Sequence, residues 1–171
     1  FFHRTTGLTG VEVMRVLAGE RPEAELRAMV AYKESLYRAL DAASELQERH
    51  GLSAEVIDAR TLVPFDYARV LESVAKTGRL VIASDACLRG SWAQTVASRV
   101  QLEAFDDLDA PVVTLGARNW IAPPAELEWE YFVTAADILD AVHSRILPLP
   151  GHTVQEGPGV EGTLEESRLG L

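Results

Sequence analysis

The side chains able to attack, ligate or move a proton are few. They are His3, His50, His143 and His152, the single thiol of Cys87, and three aspartates at the ends of apolar runs, Asp58, Asp66 and Asp85. Cys87 follows the run Leu80-Val81-Ile82-Ala83, on the side where open parallel sheets hold ligands. As a nucleophile it would need a base or a helix amino terminus beside it, and a helix is expected to begin near Ser91. A lone cysteine also packs as a small apolar side chain, and that is the reading taken for Cys87. His50 falls in the last turn of a helical pattern, where a cation favours the dipole, so it is read as a cap. His143 flanks Val142 and is read as a surface or interface residue. His152 lies in a Gly/Pro-rich tail with no acid or nucleophile at a diagnostic spacing. His3 follows Phe1-Phe2, which reads as the end of a buried strand. The aspartates are read as caps and ion-pair partners. No catalytic, cofactor-binding or metal-binding residue is assigned from this set.

Motifs for common chemistries are missing from the text of the chain. It has no G-x-S-x-G elbow, no G-x-x-x-x-G-K-[ST] phosphate loop and no H-E-x-x-H helix. The turn Ser84-Asp85-Ala86-Cys87-Leu88-Arg89-Gly90 holds one glycine, whereas a dinucleotide turn needs several to let pyrophosphate approach the backbone. Residues suited to gripping a partner are easier to find. Trp120 sits in the proline-rich loop Ala117-Arg118-Asn119-Trp120-Ile121-Ala122-Pro123-Pro124, where a large aromatic makes an interface anchor. Glu126, Glu128 and Glu130 alternate, and on an extended segment they share one face, a stripe for a basic partner. Trp120, Glu126, Glu128, Glu130 and His143 are therefore the interface candidates.

Composition narrows the partners. Sixteen basic and 26 acidic residues leave a formal net charge of -10, which a nucleic-acid backbone or an anionic membrane would repel. A hydrophobic fraction of 47% with 25% charged residues is that of a soluble globular protein. One cysteine cannot close an internal disulfide, so a reducing, cytoplasmic setting is expected. No apolar run reaches the ~18 residues of a membrane span. The start at Phe1 has neither an initiator Met nor a signal-like leader, so the chain is expected to be a fragment or a processed piece.

The elements that must position these side chains alternate between two periods. Ala28-Met29-Val30-Ala31-Tyr32 reads as a strand, followed by a helix on Leu36, Leu40, Ala43 and Leu46 that ends at Gly51. Ala54-Glu55-Val56-Ile57-Asp58 reads as a second strand. Asp66 then caps a helix with Val70, Leu71 and Val74 inward, closing at Gly78. Residues 80–83 form a third strand, Trp92, Val96 and Val100 line a helix, and residues 111–115 form a fourth strand. A last helix opens at Thr134, with Asp137 completing a capping box, and turns Ile138, Leu139, Val142 and Ile146 inward. Such alternation calls for an α/β fold with a mostly parallel sheet of about five strands sandwiched by helices. Residues 1–27 read as a linker or the remnant of a preceding domain, 28–146 as the folded domain, and 147–171 as an irregular Gly/Pro/Glu-rich tail, either mobile or laid along a partner.

A resemblance adds to this reading. The run Ser53-Ala54-Glu55-Val56-Ile57-Asp58-Ala59-Arg60-Thr61-Leu62-Val63-Pro64-Phe65-Asp66 resembles a signature of the transketolase carboxy-terminal domain, most like that of the β subunit of pyruvate and branched-chain 2-oxoacid dehydrogenase E1. Similar segments follow in the family's order: Ser73-Val74-Ala75-Lys76-Thr77-Gly78-Arg79-Leu80-Val81, Glu103-Ala104-Phe105, Leu108-Asp109-Ala110-Pro111 and Pro123-Pro124-Ala125-Glu126-Leu127-Glu128. Phe1-Phe2-His3-Arg4 is similar to the last strand of the family's pyrimidine-binding domain. The region 84–92 departs from the family, which carries an acidic residue and a glycine pair there.

The resemblance implies a non-catalytic assembly domain or subunit of a thiamine-diphosphate-dependent enzyme, a 2-oxoacid dehydrogenase E1 or a transketolase-like enzyme. It implies that thiamine diphosphate and Mg2+ are held by other domains of the assembled enzyme and not by this chain alone. The implied partners are thiamine-diphosphate-binding subunits, a like subunit and a lipoyl acyltransferase. The rival reading is a stand-alone interaction or regulatory module without enzymatic partners.

Overall fold

The computed structural model describes residues 22–119, 121, 124 and 131–155. Its contacts divide the chain into a unit Phe1–Tyr37 and a unit Arg38–Leu171. Helix α1, Glu23–His50, runs through the division. The second unit holds the remaining elements: α2 (Tyr67–Thr77), β1 (Val81–Cys87), α3 (Trp92–Glu103), a 3-10 turn (Phe105–Asp107), β2 (Val113–Ala117), α4 (Ala135–Ala141) and a π-helical turn (Val142–Ile146).

The segment 28–32, expected as a strand, lies inside α1. Between Glu23 and His50 there is no proline or glycine, and Val30 is the lone β-branched residue. Alanine, leucine, glutamate and arginine dominate the stretch, so summed propensity favours helix over the short apolar run. The helix stops where expected: Gly51 takes φ 67° and its N–H donates to the Gln47 carbonyl at 3.1 Å. Its inward face is Ala42 and Leu46, with Ala39 beside them, while Leu40 is exposed.

The segment 54–58 is irregular, a second departure from expectation. A strand needs a neighbouring ladder, and the first expected strand is helical. Side chains anchor the segment instead. Ser73 Oγ donates to Glu55 Oε2 at 2.8 Å, Lys76 Nζ donates to Glu55 Oε1, and Ile57 packs on the core. Among the described residues the sheet thus has two strands where about five were expected.

Those two strands run parallel, with Val81 opposite Val113, Ala83 opposite Leu115 and Cys87 opposite Ala117. Alternation places their side chains on two faces. Ile82 and Val112 join α2 and α3 through Val70, Val74, Val96 and Val100. Val81, Ala83, Val113 and Leu115 join α1 and α4 through Ala42, Ile138 and Ala141. Covering both faces explains why the strands read as continuous apolar runs. The α/β expectation, with helices around a parallel sheet, therefore holds.

Local signals set the remaining elements. Asp66 Oδ1 accepts from the Arg69 N–H at 3.1 Å at the start of α2, and Gly78 ends it at φ 68°. The turn before it is held by Thr61 Oγ1 donating to the Pro64 carbonyl at 2.9 Å, and the Val63–Pro64 peptide is cis. The Arg99 guanidinium stacks 3.8 Å from the Tyr67 ring and joins α3 to α2. The Thr134/Asp137 capping box forms in both directions, at 3.2 Å and 2.7 Å. No described helix is long and apolar enough to cross a membrane.

Candidate functional site

At the carboxyl ends of the two strands, where parallel sheets commonly hold ligands, the polar groups are committed to structure. Asp85 pairs with Arg38 at 2.9 Å. Ser84 Oγ accepts from the Ala86 N–H at 3.1 Å. Asn119 Oδ1 accepts from the Arg89 N–H at 3.4 Å, and Gln94 Oε1 from the Gly90 N–H at 3.1 Å. The strands close tightly here: a Cβ on Gly116 would lie 2.7 Å from the Ala86 carbonyl oxygen. Asp58 pairs with Arg60 at 3.0 Å, and Asp66 is the cap already described. The carboxylates at strand and helix ends thus do the structural work expected of them. Cys87 is exposed at the end of β1 rather than packed away.

A denser polar cluster lies on the other face, where the chain leaves α4. Asp140, 4% exposed, sits beside Leu139 and Ala141 on the buried helix. His152 Nε2 meets its Oδ1 at 2.6 Å, and the Gln155 backbone N–H and side-chain Nε2 both donate to its Oδ2 at 3.3 Å. His143 Nδ1 accepts from the Leu149 N–H at 2.9 Å. The His143 and His152 rings lie 5.2 Å apart, and the His50 ring stands edge-on to His152 at 6.2 Å. His50 is the last residue of α1, and its Nδ1 is buried with no partner.

Three histidines that the sequence treats separately are therefore brought together, and one of them, His152, meets the Asp140 carboxylate. A readable signal existed: Asp140 and His143 stand at i and i+3, sharing a helix face next to the apolar one. The contribution of His152 was hidden, because the chain must turn through Pro148, Pro150 and Gly151 before the ring comes back. Among the described residues no group of three or more His, Cys, Asp or Glu is arranged to hold a metal ion. The cluster ties the segment after the π-helical turn back to that turn and to α4.

Of the interface candidates, His143 is half-buried in this cluster. Trp120, Glu126, Glu128 and Glu130 lie outside the described residues, as does His3. Large apolar side chains that stand exposed include Leu62 and Val63 in the turn before α2, Leu102 and Phe105 at the end of α3, and Ile121. Sequence reasoning passed over Leu62 and Val63, although two apolar residues in a turn are themselves a signal.

Comparison with known proteins places this geometry. The family described as transketolase, C-terminal domain, matches residues 20–138. The chain is 39% identical over 115 residues to the pyruvate dehydrogenase E1 component subunit beta of Rhizobium meliloti, covering 67% of this chain and 25% of that protein. It is 45% identical over 100 residues to the protein of the same description from Leifsonia xyli, covering 58% of this chain and 30% of that one. With the mitochondrial 2-oxoisovalerate dehydrogenase subunit beta of Dictyostelium discoideum it shares 42% identity over 73 residues, 43% of this chain and 20% of that protein. The chain spans between a fifth and a third of the length of these relatives. The family-like segments at 53–66, 73–81, 103–105, 108–111 and 123–128 all fall inside the matched range. The chain belongs to the transketolase C-terminal domain family, and within it is similar to the β subunits of 2-oxoacid dehydrogenase E1 components.

Proposed function

We propose that this chain is an assembly domain of a thiamine-diphosphate-dependent E1-type 2-oxoacid dehydrogenase, and that it grips neighbouring chains while the reaction runs elsewhere. The observation that carries the proposal is the turn in the family-like run. Leu62 and Val63 stand exposed there, Val63 at 93%, on a loop pinned by the Thr61–Pro64 bond and the Asp66 cap. Exposed apolar side chains on a rigid loop suit a protein interface, because they lose little entropy when covered. The partners expected are a thiamine-diphosphate-binding subunit and a like subunit, with a lipoyl acyltransferase as the acceptor of the product. Trp120, Glu126, Glu128, Glu130 and His143 remain interface candidates within this proposal.

The described residues do not fit the cofactor. Magnesium bound to a diphosphate needs converging oxygen ligands, and the carboxylates at the strand ends are tied into ion pairs and caps. No chemical step is therefore assigned to them. The test is assembly. Co-expressed with a thiamine-diphosphate-binding E1 α chain, this polypeptide should co-elute in a fixed ratio. Leu62→Asp with Val63→Asp should abolish that while leaving its melting temperature within a few degrees. Tight binding of thiamine diphosphate and magnesium by this polypeptide alone, seen by calorimetry, would contradict the assignment.

A further inference from the structure

We propose that residues 147–155 form a pH-gated strap, closed over the seam between α1 and α4 by Asp140, His143 and His152, and released when the cluster takes up more than one proton. The apolar part of the strap is Leu149, 1% exposed, packed with Leu46, Leu139 and Val142. The polar part is short-range and specific: Leu149 N–H to His143 Nδ1, His152 to Asp140, and two donors of Gln155 to the other Asp140 oxygen. The strap also turns on itself, the His152 N–H donating to the Leu149 carbonyl at 3.1 Å.

The two histidines respond to a proton in opposite ways. A proton on His152 makes its contact with Asp140 a charge-assisted bond, which is stronger than the neutral one. A proton on His143 removes the lone pair that accepts the Leu149 N–H, since both ring nitrogens of imidazolium are donors. That proton also sets a second positive ring 5.2 Å from the first. The groups facing the cluster cannot offset it. From α1 comes His50, whose neighbour Arg49 is committed to Glu45 at 2.7 Å. From α4 and the π-helical turn come Asp140 and His143, with Arg145 exposed. β1 contributes the apolar Val81, and the strap carries no charge besides His152. Asp140 is the one carboxylate among the described residues of the cluster, so it balances one imidazolium and not two.

The window to scan is the range in which histidine side chains in general change charge, about pH 8 to pH 5. The direction follows from the acceptor role of His143: the strap is closed above the window and open below it. Opening uncovers Leu46, Leu139 and Val142.

Amide exchange of the full chain tests this, read by mass spectrometry from about pH 8 to about pH 5 and corrected for intrinsic rates. Protection of 147–155 should fall by about tenfold or more across the window while β1 and β2 keep theirs. In His143→Asn, whose amide oxygen stands in for Nδ1 as an acceptor that does not titrate, the strap should stay protected at the acid end. Asp140→Asn should leave it open already at the alkaline end. The proposal is overturned if wild-type protection of 147–155 does not change with pH, if the strap exchanges freely throughout, or if His143→Asn loses protection as wild type does.

Discussion

The two faces of the sheet are built on different terms. Toward α2 and α3 the interior is Val70, Val74, Ile82, Val96 and Val100, and its one buried polar side chain on α2, Ser73, reaches the rim to donate to Glu55. Toward α1 and α4 the apolar set of Leu46, Leu139, Val142 and Leu149 is interleaved with Asp140 and the histidine rings. Non-directional burial holds the first face, so its residues are replaceable by others of similar size. The second adds directional hydrogen bonds to Asp140 and His143, and removing one partner leaves a buried donor or acceptor at a cost greater than the bond contributed. One face is a platform, and the other is a fastening.

The contrast can be broken by mutation. Leu139→Ala should be the most damaging, at about 2–5 kcal/mol in denaturant unfolding, because it opens a cavity under the strap as well as beside the sheet. Val74→Ala on the opposite face, equally buried but smaller, should cost less. Equal costs would mean the two faces do not differ in packing. Gly116→Ala comes next, at about 1–3 kcal/mol, since the new methyl meets the backbone of Ala86 and Leu88 and the strands cannot part without losing register. A neutral result at Gly116 would show that the strand ends yield.

Legibility follows the same division. The helices with a strong 3.6-residue pattern, the Asp66 cap, the Gly51 and Gly78 stops and the capping box at Thr134 all rest on neighbours within four residues, and the sequence displays them directly. The failures are non-local. Residues 28–32 are apolar enough for a strand but embedded in a helix-forming stretch, and nothing local says that the longer element wins. Residues 54–58 have strand-like side chains, yet pairing depends on a neighbour elsewhere in the chain. The Asp140–His152 contact spans a turn, so spacing rules for helices miss it. Family resemblance reached further than periodicity because it carries tertiary information in the text of 53–66.

Capping separates the faces more finely. Thr134→Ala removes the two hydroxyl bonds of the box that opens α4, to the Asp137 N–H and to its carboxylate, while the Thr134 N–H keeps Asp137 Oδ2, and should cost about 1 kcal/mol, within the 0.5–2 typical of such sites. Asp66→Ala removes a one-way cap on an exposed residue and should fall toward the low end of that range. Thermal unfolding of the two variants under one buffer checks the order. A larger loss at Asp66 would place the greater local strain on the platform side.

The smallest effect expected is at the rim of the platform, and it concerns pH. The hydrogen bond from Lys76, and then that from Ser73, hold the Glu55 carboxyl below the ordinary glutamate range. A depressed folded value means that the contribution to stability is present above the unfolded value and fades as pH falls through the folded one. This loss belongs to acid solution, and it concerns the rim of the platform rather than the strap. Carboxyl NMR should show Glu55 moving toward the ordinary value in Lys76→Gln and, by a lesser step, in Ser73→Ala, with the strap unaffected in the first. If Glu55 titrates identically in all three proteins, the rim contact is absent in solution and residues 54–58 are anchored by Ile57 alone.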